Sequence, residues 1–482
     1  MTLVTKAKRR VILGSISKTK KKKTNKSVQH NGRVDKLVTE LTSLNNKMDL
    51  DLKRVALDKK ALAKLKVGSK PFWYSAELGK LDRELTAINN QKYAVYKQYA
   101  PAIDKRGFNK TKANFDYLSR LPRPLKDKVI YIRDGFARGI SKYINEHHHQ
   151  EYTVSNAFVK LWEIYSSFPW LLSSAGNGNK VNMFHMAEAP GQWINTTYTY
   201  FKQHMPANAK YDWYANSLNA EHPNIKGLIS ALKDIYGLIK RYKDRWIWGA
   251  DGTGDITNPD NIRWYGEFIS RKFAGSGGVH IVTGDAGLNI GEAPLEFLQK
   301  LDFAQMVMVA CTASPGSCCI IKHFLPFLPG FDKLSSKASG FFMSFMYMYQ
   351  LMFREFHMFK PLSSSPGSGE FYVVARGFLG LDQKIKDKLL DALGSFRVNQ
   401  PIFEHRDIPR WFVNKVCGFI NSLTQRNIDN EVIGIEILKC FVNTPAEIDC
   451  SHYLSDAGGP GTFKEQKDND IKAWMRKYQF KG

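Results

Sequence analysis

At 482 residues and 55.0 kDa the chain is long enough for one large catalytic domain with appendages, and its 43% hydrophobic and 13% aromatic content excludes a disordered polymer. A formal net charge of +25 with a pI near 9.6 points to a polyanionic partner, nucleic acid ahead of an anionic membrane surface. The six cysteines (Cys311, Cys318, Cys319, Cys417, Cys440 and Cys450) form no CxxC pair, which argues against structural zinc and for a reducing compartment, the cytoplasm or alternatively the nucleus.

The charge is uneven along the chain. Residues 1–30 read as a basic disordered tail peaking at Lys20-Lys21-Lys22-Lys23, suited to holding RNA or to nuclear import. No long apolar stretch follows it, so the sequence predicts no secretory leader. Residues 31–149 are expected to be a helical N-terminal region. Val34, Leu37, Leu41, Leu44 and Met48, then Val55, Leu62 and Leu65, recur at helical spacing and predict one long amphipathic helix. Leu78, Leu81, Leu85, Ile88 and Val95 repeat the pattern after the Gly68–Pro71 break. A helical hairpin is favoured over a coiled-coil seam, because Asp51 and Asp58 interrupt the seam.

From residue 150 to about 380 the texture alternates between helical and strand-like segments, which predicts an α/β fold with a mainly parallel sheet. Strands are expected near 183–187, 211–217, 245–250, 278–284, 317–324, 354–360 and 371–378. The apolar run Gly340–Phe353 is too short to span a bilayer and reads as a core helix, so no membrane association is expected. Residues 381–482 read as a helical C-terminal extension. Its DAGGPGTFKEQKDND stretch is expected to be a loop before a last short helix.

Chemistry is suggested first by FHMAEAPGQW, residues 184–193, where an apolar run breaks into Glu188-Ala189-Pro190-Gly191, a strand ending in a tight turn. Asp251-Gly-Thr-Gly-Asp255-Ile256 is a second glycine-rich acidic loop, suited to gripping an adenosine; its spacing misses the EF-hand pattern. Asp285, Lys322 and Glu370 each sit at the edge of a strand-like run, and Lys160 lies upstream in NAFVKLWEI. A lysine in a strand such as CCIIKHF is costly to bury without a carboxylate partner. Two lysines and two carboxylates meeting in one cleft would suit proton removal from an alcohol. His147-His148-His149 beside Glu146 reads as a solvated polar cluster ahead of a metal site. Trp246, Trp248 and Trp264 read as core aromatics ahead of a stacking platform for a base.

The ordered set Lys160, Asp285, Lys322 and Glu370, with EAPG before the last three, resembles the K-D-K-E tetrad of FtsJ-like RNA 2′-O-methyltransferases. The likeness is to the cap-specific branch of eukaryotes and large DNA viruses, through GDITNPDNI (254–262), GVHIVTGDAGLN (278–289), IIKHF (320–324) and FKPLSSSPGSGEFYVVARGF (359–378). It covers residues 150–380 and implies a Rossmann-like doubly wound methyltransferase sheet that binds S-adenosyl-L-methionine and methylates a ribose 2′-hydroxyl near a capped mRNA 5′ end. Capped mRNA is then the implied partner, with other capping enzymes as further candidates. By the same resemblance Lys322 would deprotonate or polarise the hydroxyl, Asp285 and Glu370 would orient that lysine, and Lys160 would help place nucleophile and methyl group. Ala189, Pro190, Gly191, Gln192 and Trp193, with Glu188, Asp255, Ile256 and Asn156, would line the cofactor site.

That chemistry needs no metal, since an alkoxide-like oxygen attacking a sulfonium methyl neutralises the cofactor, and alignment supplies much of the acceleration. An ordinary lysine titrates near 10.4, so acting as a base at neutrality would cost roughly 4 kcal/mol, and base and polarising roles both stay open. Two departures from the family pattern stand out. The APGG turn is APGQ here, with Gln192, and DGG is Asp285-Ala286-Gly287. Methylation of uncapped structured RNA and a non-catalytic RNA-binding scaffold are the rival functions.

Overall fold

The structure is a computed structural model that describes residues 26–44, 47–53, 56–74, 136–148, 150–173, 180–226, 234–287, 294–325, 339–443 and 463–481, with a few isolated positions between 83 and 90. The seven apolar runs expected as strands all form. With one more they make an eight-stranded sheet: β1 (Met48–Lys53), β2 (Lys180–Met186), β3 (Lys210–Asn216), β4 (Trp246–Ile247), β5 (Ile281–Gly284), β6 (Cys318–Phe324), β7 (Phe353–Lys360) and β8 (Glu370–Phe378). Their order is β1-β7-β8-β6-β5-β2-β3-β4. Strands β4, β3, β2, β5 and β6 run parallel, whereas β8, β7 and β1 join antiparallel to the strand before them.

The chain winds outward from β2 through β3 to β4, then returns to place β5 on the other side of β2. Connections leaving β2 and β5 therefore diverge, and a crevice opens at their carboxyl ends, where open α/β sheets bind ligands. Strand alternation divides the core into two faces. Phe184, Met186, Val282, Ile321, Phe356 and Val373 meet helices Pro259–Phe273, Leu295–Thr312, Gly340–Met352, Gln383–Gly394 and Arg410–Asn443. Val181, Met183, Ile281, Ile320 and Val374 meet helices Phe136–His147, Asn156–Ser167, Gln192–His204 and Phe463–Lys477. Every residue of Gly340–Met352 is buried, as its unbroken apolar run predicts.

Two expectations are corrected. The first N-terminal helix ends at Ser43, and Met48–Lys53 is strand β1 on the edge of the sheet. MDLDLK alternates strictly, so Met48, Leu50 and Leu52 pack inward while Asp49, Asp51 and Lys53 stay exposed. Met48 satisfied the helical spacing by coincidence, and period two won. Asp58 then caps the short helix Lys59–Ala63, accepting from Ala61 N at 2.9 Å. His357 of β7 holds β1 in place, with Nδ1 at 2.9 Å from Asp49 Oδ1 and Nε2 at 3.3 Å from Glu355 Oε1. In the C-terminal region the last helix starts at Phe463, so FKEQKDND is helical where a loop was expected. Glu465 in its first turn and Arg476 and Lys477 in its last suit the helix dipole, while Ile471 and Trp474 are buried. The second run of the expected hairpin (Leu78, Leu81, Leu85, Ile88, Val95) and residues 1–25 lie outside the described residues.

Candidate active site

Register alone brings three of the four ionisable residues together. In the antiparallel β6–β8 pair Lys322 faces Tyr372, so Glu370, two residues along, lies diagonally on the same face. In the parallel β5–β6 pair Gly284 faces Ile321, so Asp285, one residue past the end of β5, falls beside Lys322. The helix Asn156–Ser167 packs over this face, buried through Phe158, Val159, Leu161, Trp162 and Tyr165, and turns Lys160 toward the strand ends.

The four residues form two ion pairs. Lys322 Nζ lies 2.8 Å from Asp285 Oδ1 and donates to the Asp285 carbonyl at 2.9 Å. Lys160 Nζ lies 2.7 Å from Glu370 Oε1 and 2.9 Å from Oε2. The Glu370 carboxylate thus grips Lys160, and Asp285 is the direct partner of Lys322. Side-chain exposures of 19% and 9% for Lys160 and Glu370, and 11% and 22% for Lys322 and Asp285, mark a desolvated yet reachable cluster. Burial alone would raise the Glu370 carboxyl, but Lys160, Lys322 and Lys360 together hold it down at about 2. Gly287 leaves the space that the Lys322 amine fills, since a Cβ there would sit 2.9 Å from Nζ. The second glycine of the family's DGG is therefore the sterically demanding one, and Ala286 is accommodated.

Across the crevice, the turn after β2 is built around Glu188. Its Oε1 accepts from Trp193 N at 2.8 Å and Ile194 N at 3.0 Å, satisfying the first turn of the helix Gln192–His204 from the turn that precedes it. Burial pushes the Glu188 carboxyl well above its ordinary value. Gly191 takes φ +107, and a Cβ there would come 2.4 Å from Leu238 Cδ1. Gln192, by contrast, is the first residue of the helix and is not among the positive-φ residues, so the change from glycine imposes no backbone strain. Its Oε1 accepts from Ser155 N at 2.9 Å and from Tyr236 OH at 2.7 Å, tying the turn to the start of the helix that carries Lys160. Asn156, at that start, is exposed, and its Oδ1 accepts from Ser141 Oγ at 3.3 Å.

The loops after β3 and β4 complete the wall. Glu188 N donates to Asn216 O at 2.9 Å, and Asn216 Nδ2 donates to Gly254 O at 3.0 Å. Asp255 accepts from Thr257 N at 2.8 Å and Thr257 Oγ1 at 3.0 Å, which leaves carboxylate lone pairs for a ligand. Ala189 and Pro190 are half-buried. Trp193 and Ile256 are core side chains, 1% and 5% exposed, so any part they play at a ligand is through backbone or packing. The donor set fits S-adenosylmethionine: Asp255 has acceptor capacity for an adenosine, Gln192 Nε2 is a buried donor without a protein acceptor, and two carboxylates stand near a position for a cation.

Other sequence candidates fall outside this cluster. His147 stacks on Tyr143 at 4.2 Å between ring centroids; His149 lies outside the described residues. Trp246 is buried and stacks on Trp248 at 6.2 Å, and Trp264 stacks on Phe268 at 4.9 Å, as core aromatics do. Two buried charges were not singled out from the sequence. Glu163, one turn beyond Lys160, accepts from Leu362 N, Ser363 N and Tyr478 OH. Lys360, at the end of β7, reaches Ser364 Oγ and two backbone carbonyls. The i, i+3 spacing from Lys160 was a signal for the first; the FKP run at a strand end was a faint one for the second.

Residues 153–378 match the family described as FtsJ-like methyltransferase. Three relatives are similar over 282 to 295 residues. The chain is 26% identical over 282 residues to the uncharacterized protein L511 of Acanthamoeba polyphaga mimivirus, covering 57% of this chain and 32% of that one. It is 27% identical over 286 residues to the mouse cap-specific mRNA (nucleoside-2'-O-)-methyltransferase 2, covering 58% and 35%. It is 26% identical over 295 residues to the probable methyltransferase EP424R of African swine fever virus, covering 58% and 63%. The chain thus spans about a third of the length of the first two.

Proposed function

We propose that this protein is an S-adenosylmethionine-dependent RNA 2′-O-methyltransferase acting on a ribose near the capped 5′ end of mRNA. The observation that carries the reading is the pair of Lys–carboxylate contacts, Lys322–Asp285 and Lys160–Glu370, where the carboxyl ends of β5 and β6 meet the amino end of the antiparallel β8 and the helix Asn156–Ser167. Cap specificity rests on the printed name of the mouse relative, and an RNA substrate also suits the net charge of +25.

When bound, S-adenosylmethionine supplies a methyl group already activated by a positively charged sulfur. Glu188 through Trp193, Asp255, Ile256 and Asn156 are the residues proposed to hold it. Lys322 donates both of its hydrogen bonds to Asp285, which fixes the amine and leaves one position for the ribose 2′-oxygen. Its role is to orient and polarise that hydroxyl, whose proton passes to solvent water as the oxygen takes the methyl group. Lys160, held by Glu370, supplies a second cation to align the nucleophile. Other capping enzymes are proposed partners, and the cytoplasm, or alternatively the nucleus, is the proposed setting. No described helix is long and apolar enough to cross a membrane.

The test is methyl transfer from labelled cofactor to capped and uncapped RNA, with mass spectrometry of the 5′ nucleotides. Cap-dependent transfer that Lys322→Ala abolishes is the expected result. Transfer that survives Lys322→Ala unchanged would sink the chemistry, and equal transfer to uncapped RNA would sink the cap assignment. RNA binding with no heat from S-adenosylhomocysteine would leave a scaffold.

A further inference from the structure

Lys360 is wholly buried, yet among the described residues no carboxylate oxygen lies within 4.0 Å of its amine. By strand alternation it points to the face of Phe356 and Met358, opposite to the side chain of Glu370. Burial, and after it the neighbouring Arg426, lowers its amine well below the ordinary lysine value. Three oxygens offset part of that cost, one for each ammonium hydrogen: Ser364 Oγ at 2.9 Å, Ser368 O at 2.9 Å and Glu370 O at 2.8 Å.

An apolar residue of similar volume would fill this place at lower cost. What it could not do is direct the hydroxyl of Ser364. That hydroxyl has one hydrogen, and its oxygen already accepts from Lys360. The hydrogen is committed to Glu370 Oε1, 2.9 Å away. Tyr372 OH adds a second donor to the same oxygen at 3.3 Å, and Lys160 grips both carboxylate oxygens from the other side. The 361–369 loop between Lys360 and Glu370 is pinned on its far side as well. Glu163, on the helix of Lys160, accepts from Leu362 N at 2.5 Å and Ser363 N at 3.0 Å.

We propose that Lys360 is a positioning residue of the methyl-transfer site: through the Ser364 hydroxyl and the Glu370 carbonyl it fixes the Glu370 carboxylate in the orientation that grips Lys160. The proposal rests on the function argued above. It concerns turnover and not cofactor affinity, because Lys360 touches none of the residues assigned to the cofactor.

The experiment compares wild type, Lys360→Met, Ser364→Ala and the double variant in single-turnover methyl transfer, with S-adenosylhomocysteine affinity measured alongside. Lys360→Met is expected to slow transfer about 10- to 100-fold, with that affinity within about twofold of wild type. Ser364→Ala is expected to slow it about 3- to 10-fold, and the double variant to be no slower than Lys360→Met, since both act through one chain of contacts. Lys360→Met turning over as fast as wild type overturns the proposal. So do losses that multiply in the double variant, or a loss matched by an equal loss of affinity, which marks general damage to the fold. Should Lys360→Met fail to fold, Ser364→Ala alone decides: slowed transfer at unchanged affinity supports the proposal and wild-type speed overturns it. Absence of transfer by wild type is a different result, and it removes the functional reading itself.

Discussion

The two halves of the sheet do different work with different geometry. In the parallel half, β4-β3-β2-β5-β6, the proposed site residues Glu188, Gly191, Asp255 and Asp285 sit in the turns beyond the strand ends. In the antiparallel half, β6-β8-β7-β1, the proposed site residues sit in the strands themselves: Lys322 and Glu370 share a face by diagonal register, and Lys360 donates to the Glu370 carbonyl. Turns can change residue at modest cost, as Gln192 in place of glycine illustrates. A charge inside a strand brings its partners with it: Glu370 of β8 is held by Lys160 from the covering helix and, through Ser364, by Lys360 of β7.

The sharpest way to break the comparison is at the junction of the halves. Gly287→Ala puts a Cβ 2.9 Å from Lys322 Nζ and should displace the amine from Asp285. Methyl transfer is expected to fall at least about 100-fold while S-adenosylhomocysteine still binds; single-turnover rates and calorimetry read the two separately.

Within the antiparallel half, Glu370 ties pH to stability. Its carboxyl is depressed from 4.5 to about 2, so its stabilisation is present above pH 4.5 and is lost as pH falls from there toward 2. The loss is on the order of 3 kcal/mol. Melting curves should show this acid slope in wild type and a shallower one in Glu370→Gln; equal slopes would contradict the assignment.

In the parallel half, Gly191→Ala forces φ +107 on a residue with a side chain and crowds Leu238. It should cost about 1–3 kcal/mol and weaken S-adenosylhomocysteine binding about tenfold, checked by melting and calorimetry. The smallest effect lies at the outer edge. Asp49, with Asp51 and Glu355, raises His357 above the ordinary histidine value against the lowering effect of burial, so its contribution is full below about pH 6.5 and is lost as pH rises through the raised value. Asp49→Asn should cost less than about 1 kcal/mol of stability at pH 6, and less still at pH 9, read from denaturant melts at the two pH values.

Legibility in the sequence follows the same division. The strands from β2 to β8 could be read because buried central strands are apolar runs bounded by turn residues, and Asp285, Lys322 and Glu370 stood out as charges at their edges. Strand β1 could not, because in MDLDLK an exposed edge leaves half the residues polar and Met48 also continued a helical pattern. The pairing within the tetrad was hidden for another reason: register decides whether Glu370 meets Lys160 or Lys322, and no local pattern encodes it. Lys360 left only the faint signal of the FKP run, since its partners are a hydroxyl and two main-chain carbonyls, groups that every sequence contains.

The ends of the sheet have a bearing on how this protein behaves in a crowded solution. A row of unpaired backbone groups invites another chain to add a strand, and long flat margins nucleate aggregates. At one margin β4 offers only Trp246 and Ile247; at the other β1 presents Asp49, Asp51 and Lys53 outward. Brevity on one side and charge on the other make self-templated growth unfavourable, so among the described residues the eight-stranded sheet stays open at both margins without closing into a barrel.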